Sequence, residues 1–286
     1  MRCFFASDLH GRTERYRRLI SRIELERPDA VFLGGDLLPM PHAARRPSDP
    51  VYTDFINDFL AAEFDRLRGA LGSSYPSVFV ILGNDDPRSE EAAILEAVDR
   101  GTWEYVHDRR AALGCLTVYG YACVPPTPFL LKDWERYDVS RFVDPGSVSP
   151  EEGLRSVAVS PSEVRHATIR RDLERLAGED DLTRSVFLFH SPPYETDLDR
   201  AALDGVRVGD VPLDIHVGSV AIRRFIAERQ PLLTLHGHIH ESPTLTGSWR
   251  DRIGRTHLLS AAHDGPELAL VRFDPDALGD AARELC

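Results

Sequence analysis

The chain has 286 residues, 42% of them hydrophobic, and a formal net charge of −12 with an isoelectric point near 5.4. This length allows one large α/β domain with a substantial core, and we expect a single domain over residues 1–286. The acidic balance argues against duplex nucleic acid and anionic membranes as partners, because both attract a basic surface.

The cysteines and the lack of long apolar segments indicate the cellular compartment of the protein. The four cysteines show no paired metal-ligand spacing, and a chain of this length does not need disulfide stapling. No apolar segment reaches the length that spans a bilayer, and residues 2–6 already read as a strand rather than as a targeting segment. We therefore expect a cytoplasmic protein without a membrane partner. The sequence carries no indication of oligomeric state.

The first predicted strand, residues 2–6, ends just before Asp8 and His10. A helix is predicted to follow over about residues 12–26. Open α/β sheets usually place their chemistry at the carboxyl ends of buried strands, so both side chains are candidate metal ligands. The alternative is that Asp8 begins a turn and caps the helix that follows.

Two further predicted strands end in glycine followed by oxygen-bearing side chains. The first runs into Gly35-Asp36, and the second, over residues 77–82, runs into Gly83-Asn84-Asp85-Asp86. Glycine lets the backbone approach a bound group closely, and both carboxylate and amide oxygens can bind a cation. Together with Asp8 and His10, these residues place candidate metal ligands at three strand ends, which indicates a common site.

The segments around and between these motifs alternate between helical and strand patterns. Up to residue 190 they are a loop over 39–50, helices over 51–71, 89–99 and 162–177, and strands over 103–107, 115–121 and 185–189. Residues 39–75 are thus expected to form a helical insertion. Residues 124–160 are rich in proline yet carry aromatic side chains that disordered linkers seldom hold, so we expect an ordered excursion packed on the domain. It either covers a site or forms a surface loop without substrate contact.

Histidines mark two further strand ends. His190 follows the strand over 185–189, and the apolar run 232–235 leads into His236-Gly237-His238-Ile239-His240. Imidazoles two residues apart can reach one centre, and histidine is the commonest metal-binding side chain. His190, His238 and His240 are therefore candidate ligands, whereas His216 and His236 are expected to support or pack.

The remaining patterns complete the predicted fold. A helix is predicted over 220–228 with Ser219 as its N-cap, and strands over 244–249, 256–260 and 267–273 precede a polar tail. Alternating strands and helices followed by a strand-rich end predict an α/β protein with two stacked β-sheets and helices outside.

The ordered set Asp8-x-His10, Gly35-Asp36, Gly83-Asn84, His190 and Gly237-His238-x-His240 resembles the calcineurin-like metallophosphoesterase superfamily. Three further stretches are similar to the Icc-related predicted phosphoesterases within it: His190-Ser-Pro-Pro, the Gly218-Ser219 helix leading to Gln230-Pro231, and His238-Ile-His240-Glu-Ser. The resemblance implies a four-layer sandwich of two mixed β-sheets flanked by helices.

The same resemblance implies a dinuclear metal centre. One divalent ion would be held by Asp8, His10, Asp36 and His240, and the other by Asp36, Asn84, His190 and His238. Asp36 would bridge them, and a hydroxide between the ions would attack phosphorus in line. Mixed nitrogen and oxygen ligands tolerate manganese, iron, zinc, cobalt or nickel. Asp36, Asn84, Asp85 and His238 would take the catalytic positions.

Three residues bear on the substrate, which is expected to be a small phosphorylated molecule. Arg12 and Arg88 are candidate phosphate clamps because a guanidinium can engage two oxygens, although either could be an ordinary surface arginine. Asp85 stands where many members of the family have histidine. An ionised Asp85 would repel a phosphate dianion, so we expect phosphodiesters to be preferred over monoesters. Alternatively, Asp85 acts as a general acid.

Two other functions fit the motifs. A nuclease acting on single-stranded nucleic acid would need a basic track with stacking aromatics, and only residues 124–152 supply aromatics. A metal-binding scaffold with little catalysis would have no need to retain all seven ligand side chains. Metal analysis and turnover of different phosphoesters separate the three.

Overall fold

A computed structural model describes residues 1–39 and 52–286. Within these residues the strands are, in chain order, β1 (Cys3–Ala6), β2 (Ala30–Gly34), β3 (Ser77–Ile81), β4 (Glu104–Tyr105), β5 (Arg109–Leu113), β6 (Leu116–Tyr121), β7 (Ser185–Phe189), β8 (Arg207–Val208), β9 (Val211–Pro212), β10 (Leu233–His236), β11 (Arg250–Ile253), β12 (Thr256–Ser260), β13 (Ala269–Phe273) and β14 (Ala282–Leu285).

The helices alternate with these strands over most of the chain. They are α1 (Thr13–Glu26), α2 (Ala61–Leu71), α3 (Glu91–Asp99), α4 (Pro161–His166), α5 (Ile169–Ala177), α6 (Val220–Arg229) and α7 (Ser242–Thr246). A π-helical turn, Ile56–Leu60, leads directly into α2. This helical run falls within the predicted insertion, but the loop predicted over 39–50 lies, apart from Pro39, outside the described residues.

Two six-stranded mixed sheets form the centre of the molecule. The first has the order β14-β13-β1-β2-β3-β4, and the second has the order β11-β12-β10-β7-β6-β5. Four neighbouring strands of each sheet are parallel: β1, β2, β3 and β4 in the first sheet, and β12, β10, β7 and β6 in the second. The outer strands each pair antiparallel with their neighbour: β13 with β1, β14 with β13, β11 with β12, and β5 with β6. The sheets face each other with β2 against β7 and β3 against β6. The predicted fold of two stacked mixed sheets flanked by helices is confirmed.

The central strands are buried on both faces, which is why they read as continuous apolar runs. Every residue of β1, β2, β7 and β10 is buried. Aromatic rings stack between neighbouring strands: Phe32 lies 5.3 Å from Phe79 in the first sheet, and Tyr119 lies 4.6 Å from Phe187 in the second. This packing fixes the positions of the strand ends that carry the polar motifs.

Two predicted elements were wrong. The single helix expected over 162–177 is two helices, because Thr168 is extended and its hydroxyl caps α5 by accepting the amide of Arg171. The strand expected over 244–249 is instead helix α7. Pro243 favours the first turn of a helix, and Gly247, with φ of 74°, ends it in the left-handed conformation.

Edge strands were also missed. Strand β5 is mostly exposed and begins with two arginines, so it lacks the apolar alternation that marks a half-buried strand. Strand β14 lies in the stretch that was predicted to be a polar tail, and it pairs antiparallel with β13. Both strands are held by backbone pairing rather than by a buried face.

The excursion over 124–160 is hydrogen-bonded to the rest of the domain. The Asp138 carboxylate accepts the Ser219 hydroxyl and the Val220 amide at the N-terminus of α6. The indole of Trp134 donates to the carbonyl of Asp86 over 2.8 Å, and the Asp133 carboxylate accepts the Arg88 amide. These contacts hold the excursion against the loop that follows β3.

The cysteine thiols are free at Cys3, Cys115, Cys123 and Cys286. Within residues 1–39 and 52–286, no helix is both long and apolar enough to cross a bilayer.

His107, between β4 and β5, is a partly buried titratable group with an unusual environment. Its ring lies 4.9 Å from that of Trp134, and Nδ1 accepts the backbone amide of Ala122. Burial lowers the pKa of His107 to about 3, and the positive charges of Arg136 and Arg88 act in the same direction. The ring is therefore neutral near pH 7.

Acidification is expected to destabilise the protein through His107. An unfolded histidine takes up a proton near pH 6.5, whereas folded His107 does so only near pH 3. Between these values the unfolded state binds more protons, so the free energy of unfolding falls as the pH is lowered, by up to about 1.4 kcal/mol per pH unit. Urea titrations of chelator-treated protein from pH 6.5 to 4.5 should give a shallower slope for His107→Gln. An equal slope in both proteins would contradict this assignment.

Candidate metal centre

Polar side chains of both sheets meet at the carboxyl ends of the central parallel strands. In the first sheet, Asp8 and His10 follow β1, Asp36 follows β2, and Asn84 follows β3. In the second sheet, His190 follows β7, and His238 and His240 follow β10. Since β2 faces β7, these ends are brought together across the sandwich.

Four of these residues have left-handed backbone conformations. The φ angles are 57° at Asp8, 47° at His10, 52° at Asp36 and 75° at His238. Such values are uncommon for residues other than glycine and cost conformational energy. Backbone hydrogen bonds hold them, because the Asp8 amide donates to Gly35 and the His10 amide to the Asp36 carbonyl. The loops after β1 and β2 are therefore joined.

The side chains form two groups that share one carboxylate. In the first group, ligand atoms of Asp8, His10, Asp36 and His240 all lie within 4.8 Å of one another. The Nε2 atom of His240 is 3.1 Å from His10 Nε2 and 3.2 Å from Asp8 Oδ1. These three atoms are therefore close enough to bind one cation placed between them.

The second group contains Asp36, His190 and His238. His190 Nε2 lies 3.2 Å from Asp36 Oδ2 and 3.1 Å from Asn84 Oδ1, so the Asn84 amide oxygen joins this group. All seven side chains that the sequence singled out as metal ligands thus come together, and Asp36 belongs to both groups.

The donor set of this cluster fits divalent cations. Asp8 Oδ2 is buried and makes no hydrogen bond within the described part of the chain. Buried polar atoms almost always have a partner, so this oxygen is suited to a ligand. Imidazole nitrogens combined with carboxylate and amide oxygens suit manganese, iron, zinc, cobalt or nickel.

Asp8, Asp36 and His238 have the protonation states that metal binding requires. Burial opposes ionisation of Asp36, but the nearby His190 lowers its pKa to about 2. Burial likewise opposes ionisation of Asp8, and the hydrogen bond with His240 holds its pKa well below the usual range. Burial lowers the pKa of His238 to about 3, which keeps that imidazole neutral.

His190 and His240 differ, because the pKa of each imidazole is raised although burial disfavours the charged form. The hydrogen bond with Asp8 raises the pKa of His240, and the adjacent Asp36 carboxylate raises the pKa of His190 to about 10. A cation that binds His190 would have to displace this proton, so binding there should release one proton.

The sequence pattern of a known family coincides with this cluster. The model of the calcineurin-like phosphoesterase family matches residues 1–242, which include all seven side chains. The chain belongs to this family. No curated protein matches it.

Solved structures share the fold of this calcineurin-like phosphoesterase at low sequence identity. TT1561 of Thermus thermophilus is 18% identical with a TM-score of 0.57, and the match covers 99% of this chain and 98% of TT1561. A dimetal phosphatase from Danio rerio is 13% identical with a TM-score of 0.51, over 95% and 91% of the two chains. The Mycobacterium tuberculosis phosphopantetheinyl hydrolase PptH is 15% identical with a TM-score of 0.50, over 91% and 89%.

Asp85 lies at the partly open side of the cluster. Its amide donates to Asp36 Oδ1 over 2.8 Å, and its carboxylate accepts the Asn84 side-chain amide over 3.0 Å. Oδ2 is 3.9 Å from His10 Nδ1. Burial and the Asp36 charge raise the pKa of Asp85 to about 7. A bound cation would act in the opposite direction.

The two arginines singled out as phosphate clamps point to other partners. The exposed Arg12 donates to the carbonyl of Gly265 over 3.3 Å. The guanidinium of Arg88 lies 5.4 Å from the Trp134 ring and pairs with Glu91 over 3.3 Å. Neither guanidinium bonds a member of the seven-residue cluster, and a clamping role for either stays a prediction.

Asp86 completes the third motif, and its contacts support the cluster. Its buried carboxylate accepts the amides of Leu37, Leu38 and Gly83, with distances of 2.7 to 3.1 Å. It therefore joins the loop after β2 to the loop after β3, which positions Asp36 relative to Asn84. Burial and the Asp36 charge raise the pKa of Asp86 to about 7.

Asp199 and Arg15 are two further supporting residues that sequence reasoning missed. The buried Asp199 carboxylate accepts amides of residues 195, 196 and 218 and lies 2.8 Å from His216 Nδ1. The buried Arg15 donates to the Asp8 carbonyl over 2.6 Å. A lone aspartate in a predicted loop and an arginine in a predicted helix gave no local signal of these contacts.

His216 and His236 lie outside both groups, as the sequence predicted. His216 bonds Asp199, and the fully buried His236 places Nδ1 2.9 Å from the Ser191 carbonyl and Nε2 2.7 Å from the Thr234 hydroxyl. Both nitrogens of His236 are therefore occupied. The His236 ring also stacks on Phe189, which supports the strand ends that carry His190 and His238.

Proposed function

We propose that this calcineurin-like phosphoesterase hydrolyses phosphodiesters of small-molecule or nucleotide type with the help of two divalent cations. The observation that carries the proposal is the sharing of Asp36 between two groups of ligand atoms. Asp8, His10, Asp36 and His240 would hold one cation, and Asp36, Asn84, His190 and His238 the other. When bound, such ions polarise a phosphoryl oxygen and lower the pKa of a water molecule toward neutrality.

The open side of the cluster determines where a phosphate can enter. Asp8, Asp36, Asn84 and His190 are buried, whereas Asp85, His238 and His240 are only partly buried. A substrate would therefore approach over Asp85 and the two C-terminal histidines. The fixed hydrogen bonds of Asp36 and Asn84 would keep their oxygens oriented before the substrate arrives, which is the preorganisation that electrostatic catalysis requires.

Asp85 supports the preference for diesters. Its carboxylate, ionised beside cations, would add one negative charge at the entrance to the cluster. Near neutral pH a phosphomonoester carries close to two negative charges, whereas a phosphodiester carries one. The Asp85 carboxylate therefore repels the monoester about twice as strongly as the diester. The absence of an imidazole at this position also removes a cationic partner for a phosphate dianion.

Turnover of matched substrates tests this function. Protein loaded with manganese, iron(II), zinc, cobalt or nickel is expected to hydrolyse bis(p-nitrophenyl) phosphate with kcat/KM about tenfold above that for p-nitrophenyl phosphate. Chelator treatment should abolish both reactions. Equal or better turnover of the monoester would contradict diester preference, and metal-loaded protein without turnover would favour a scaffold. Faster cleavage of single-stranded oligonucleotides than of small diesters would favour a nuclease.

A further inference from the structure

A concave site lies apart from the metal centre. It is a cavity of about 560 Å³, and none of the seven ligand side chains lines it. Five arginines contribute to its wall, from the segment after β3, the start of β5, the 124–160 excursion and helix α5. They are Arg88, Arg109, Arg136, Arg171 and Arg175.

Three of these arginines are compensated by carboxylates. Arg88 pairs with Glu91, Arg136 with Glu163 over 2.8 Å, and Arg175 with Asp108 over 2.8 Å. Asp172, the fourth acid in the wall, lies between Arg136 and Arg175 and bonds both. The four acids are thus engaged with three arginines.

Arg109 and Arg171 have no carboxylate partner among the residues that the structure describes. The guanidinium of Arg171 bonds only the backbone carbonyl of His166, over 3.3 Å, and that of Arg109 makes no hydrogen bond within residues 1–39 and 52–286. Five cationic against four anionic side chains leave a net charge of about +1 in the wall. In a chain with a formal charge of −12, this cavity is a local site of positive potential.

His107 also lines the cavity and lies within this positive potential. Its Nδ1 accepts the Ala122 amide, so the proton of the neutral ring is on Nε2 and is available as a donor. Burial and the charges of Arg136, Arg88 and Arg109 hold the pKa of His107 near 3. The ring thus adds a neutral N–H donor beside the guanidinium groups.

We propose that this cavity binds a small anion with two linked phosphoryl groups, of the inorganic pyrophosphate type. The guanidinium fork of arginine matches phosphate oxygens bidentately, and Arg109 and Arg171 are free to do so. The volume lies within the range of small-molecule sites. Apart from Ala167, the wall consists of charged side chains and His107, which does not suit an apolar ligand.

The cavity and the metal cluster share the segment that follows β3, but no side chain belongs to both. The same segment carries Asn84 and Asp85 at the metal cluster and Arg88 in the cavity wall. Trp134, which lies beside the Arg88 guanidinium, donates to the Asp86 carbonyl. The anion site itself does not depend on the proposed hydrolytic activity, since none of the cluster ligands takes part.

Calorimetric titration with inorganic pyrophosphate tests the proposal. The experiment uses the full-length Asp36→Asn variant, which lacks the carboxylate shared by the two metal-ligand groups, so that pyrophosphate binding in the cavity is measured apart from binding at the metal centre. This variant is expected to bind one equivalent of pyrophosphate. The triple variant that also carries Arg109→Ala and Arg171→Ala should bind pyrophosphate at least tenfold more weakly.

The neighbouring residues provide a matched control. Arg110 and Arg170 are also exposed, lie one position away, and pair with Asp180 and Glu174 outside the cavity. Adding Arg110→Ala and Arg170→Ala removes the same charge and should change the dissociation constant less than twofold. Equal weakening by both double substitutions would overturn the proposal, because it would show a diffuse charge effect. Loss of all pyrophosphate binding in the Asp36→Asn protein would also overturn it.

A second measurement needs no variant of the cavity. In the wild-type protein, saturating pyrophosphate should protect Arg109 and Arg171 from phenylglyoxal, as read by peptide mass spectrometry, and should leave Arg110 and Arg170 reactive. Modification of Arg109 and Arg171 at unchanged rates in the presence of pyrophosphate would refute the site.

Discussion

Replacing Asp36 with asparagine is expected to remove cations from both ligand groups and to reduce kcat/KM for the diester at least about 10³-fold, as the loss of several kcal/mol of metal-ion stabilisation implies. Asp36 is the carboxylate that the two groups share, so one substitution affects both. Asparagine has the same shape, and its oxygen can still accept the Asp85 amide that Asp36 accepts over 2.8 Å. Metal content by mass spectrometry, together with kcat/KM and Tm, would separate loss of metal from loss of fold.

A remote aspartate provides the control for this substitution. The Asp65 carboxylate accepts the Thr102 hydroxyl over 2.6 Å and pairs with Arg68, away from the cluster. Asp65→Asn should leave metal content unchanged and kcat/KM within twofold. If Asp36→Asn retained the wild-type metal content and turnover, the shared role of Asp36 would be wrong.

Replacing Asp85 with histidine is expected to shift the ratio of monoester to diester kcat/KM at least tenfold toward the monoester. A unit charge about 6 Å from a phosphate contributes at most about 3 kcal/mol for each unit of phosphate charge, at an effective dielectric constant of about 20. Removing it favours the dianion over the monoanion by part of that energy, and tenfold corresponds to about 1.4 kcal/mol. The measurement is the same pair of nitrophenyl esters with fully metal-loaded protein.

Asp85→Asn separates charge from proton donation. Asparagine removes the negative charge without adding an imidazole, so a similar shift in both variants would assign the effect to charge. A shift confined to Asp85→His would indicate that the position acts through a proton donor. An unchanged ratio in both variants would refute the explanation of diester preference by Asp85.

The positions of the strand ends could be predicted because buried parallel strands have a simple sequence pattern. The runs before Asp8, Asp36 and His190 are continuously apolar, and each stops where the polar motif begins. Elements that lack a buried face were the ones missed, as with exposed β5. The division between α4 and α5 depends on a bridge between Tyr137 and Thr168, which are 31 residues apart and give no local signal.

The candidate ligands could be named from sequence, but their supporting contacts could not. Nothing in the sequence around Asp86 indicates that it accepts amides 48 and 49 residues away, at Leu38 and Leu37. The contacts of Asp199 and Arg15 have the same character. Such roles depend on which backbone groups face a side chain after the sheets have stacked, whereas ligand identity depends on chemistry that each residue carries with it.

The left-handed residues at the strand ends lower the stability of the fold in order to place metal-binding side chains. Asp8, His10, Asp36 and His238 each hold a backbone shape that suits glycine better, at a cost on the order of 1 kcal/mol apiece. Glycine at any of these four positions would relax the local chain and delete a metal-binding side chain in the same step. Selection of metal-free protein for thermal endurance alone would therefore not protect the centre, so laboratory evolution of this protein should screen for bound metal as well as for survival on heating.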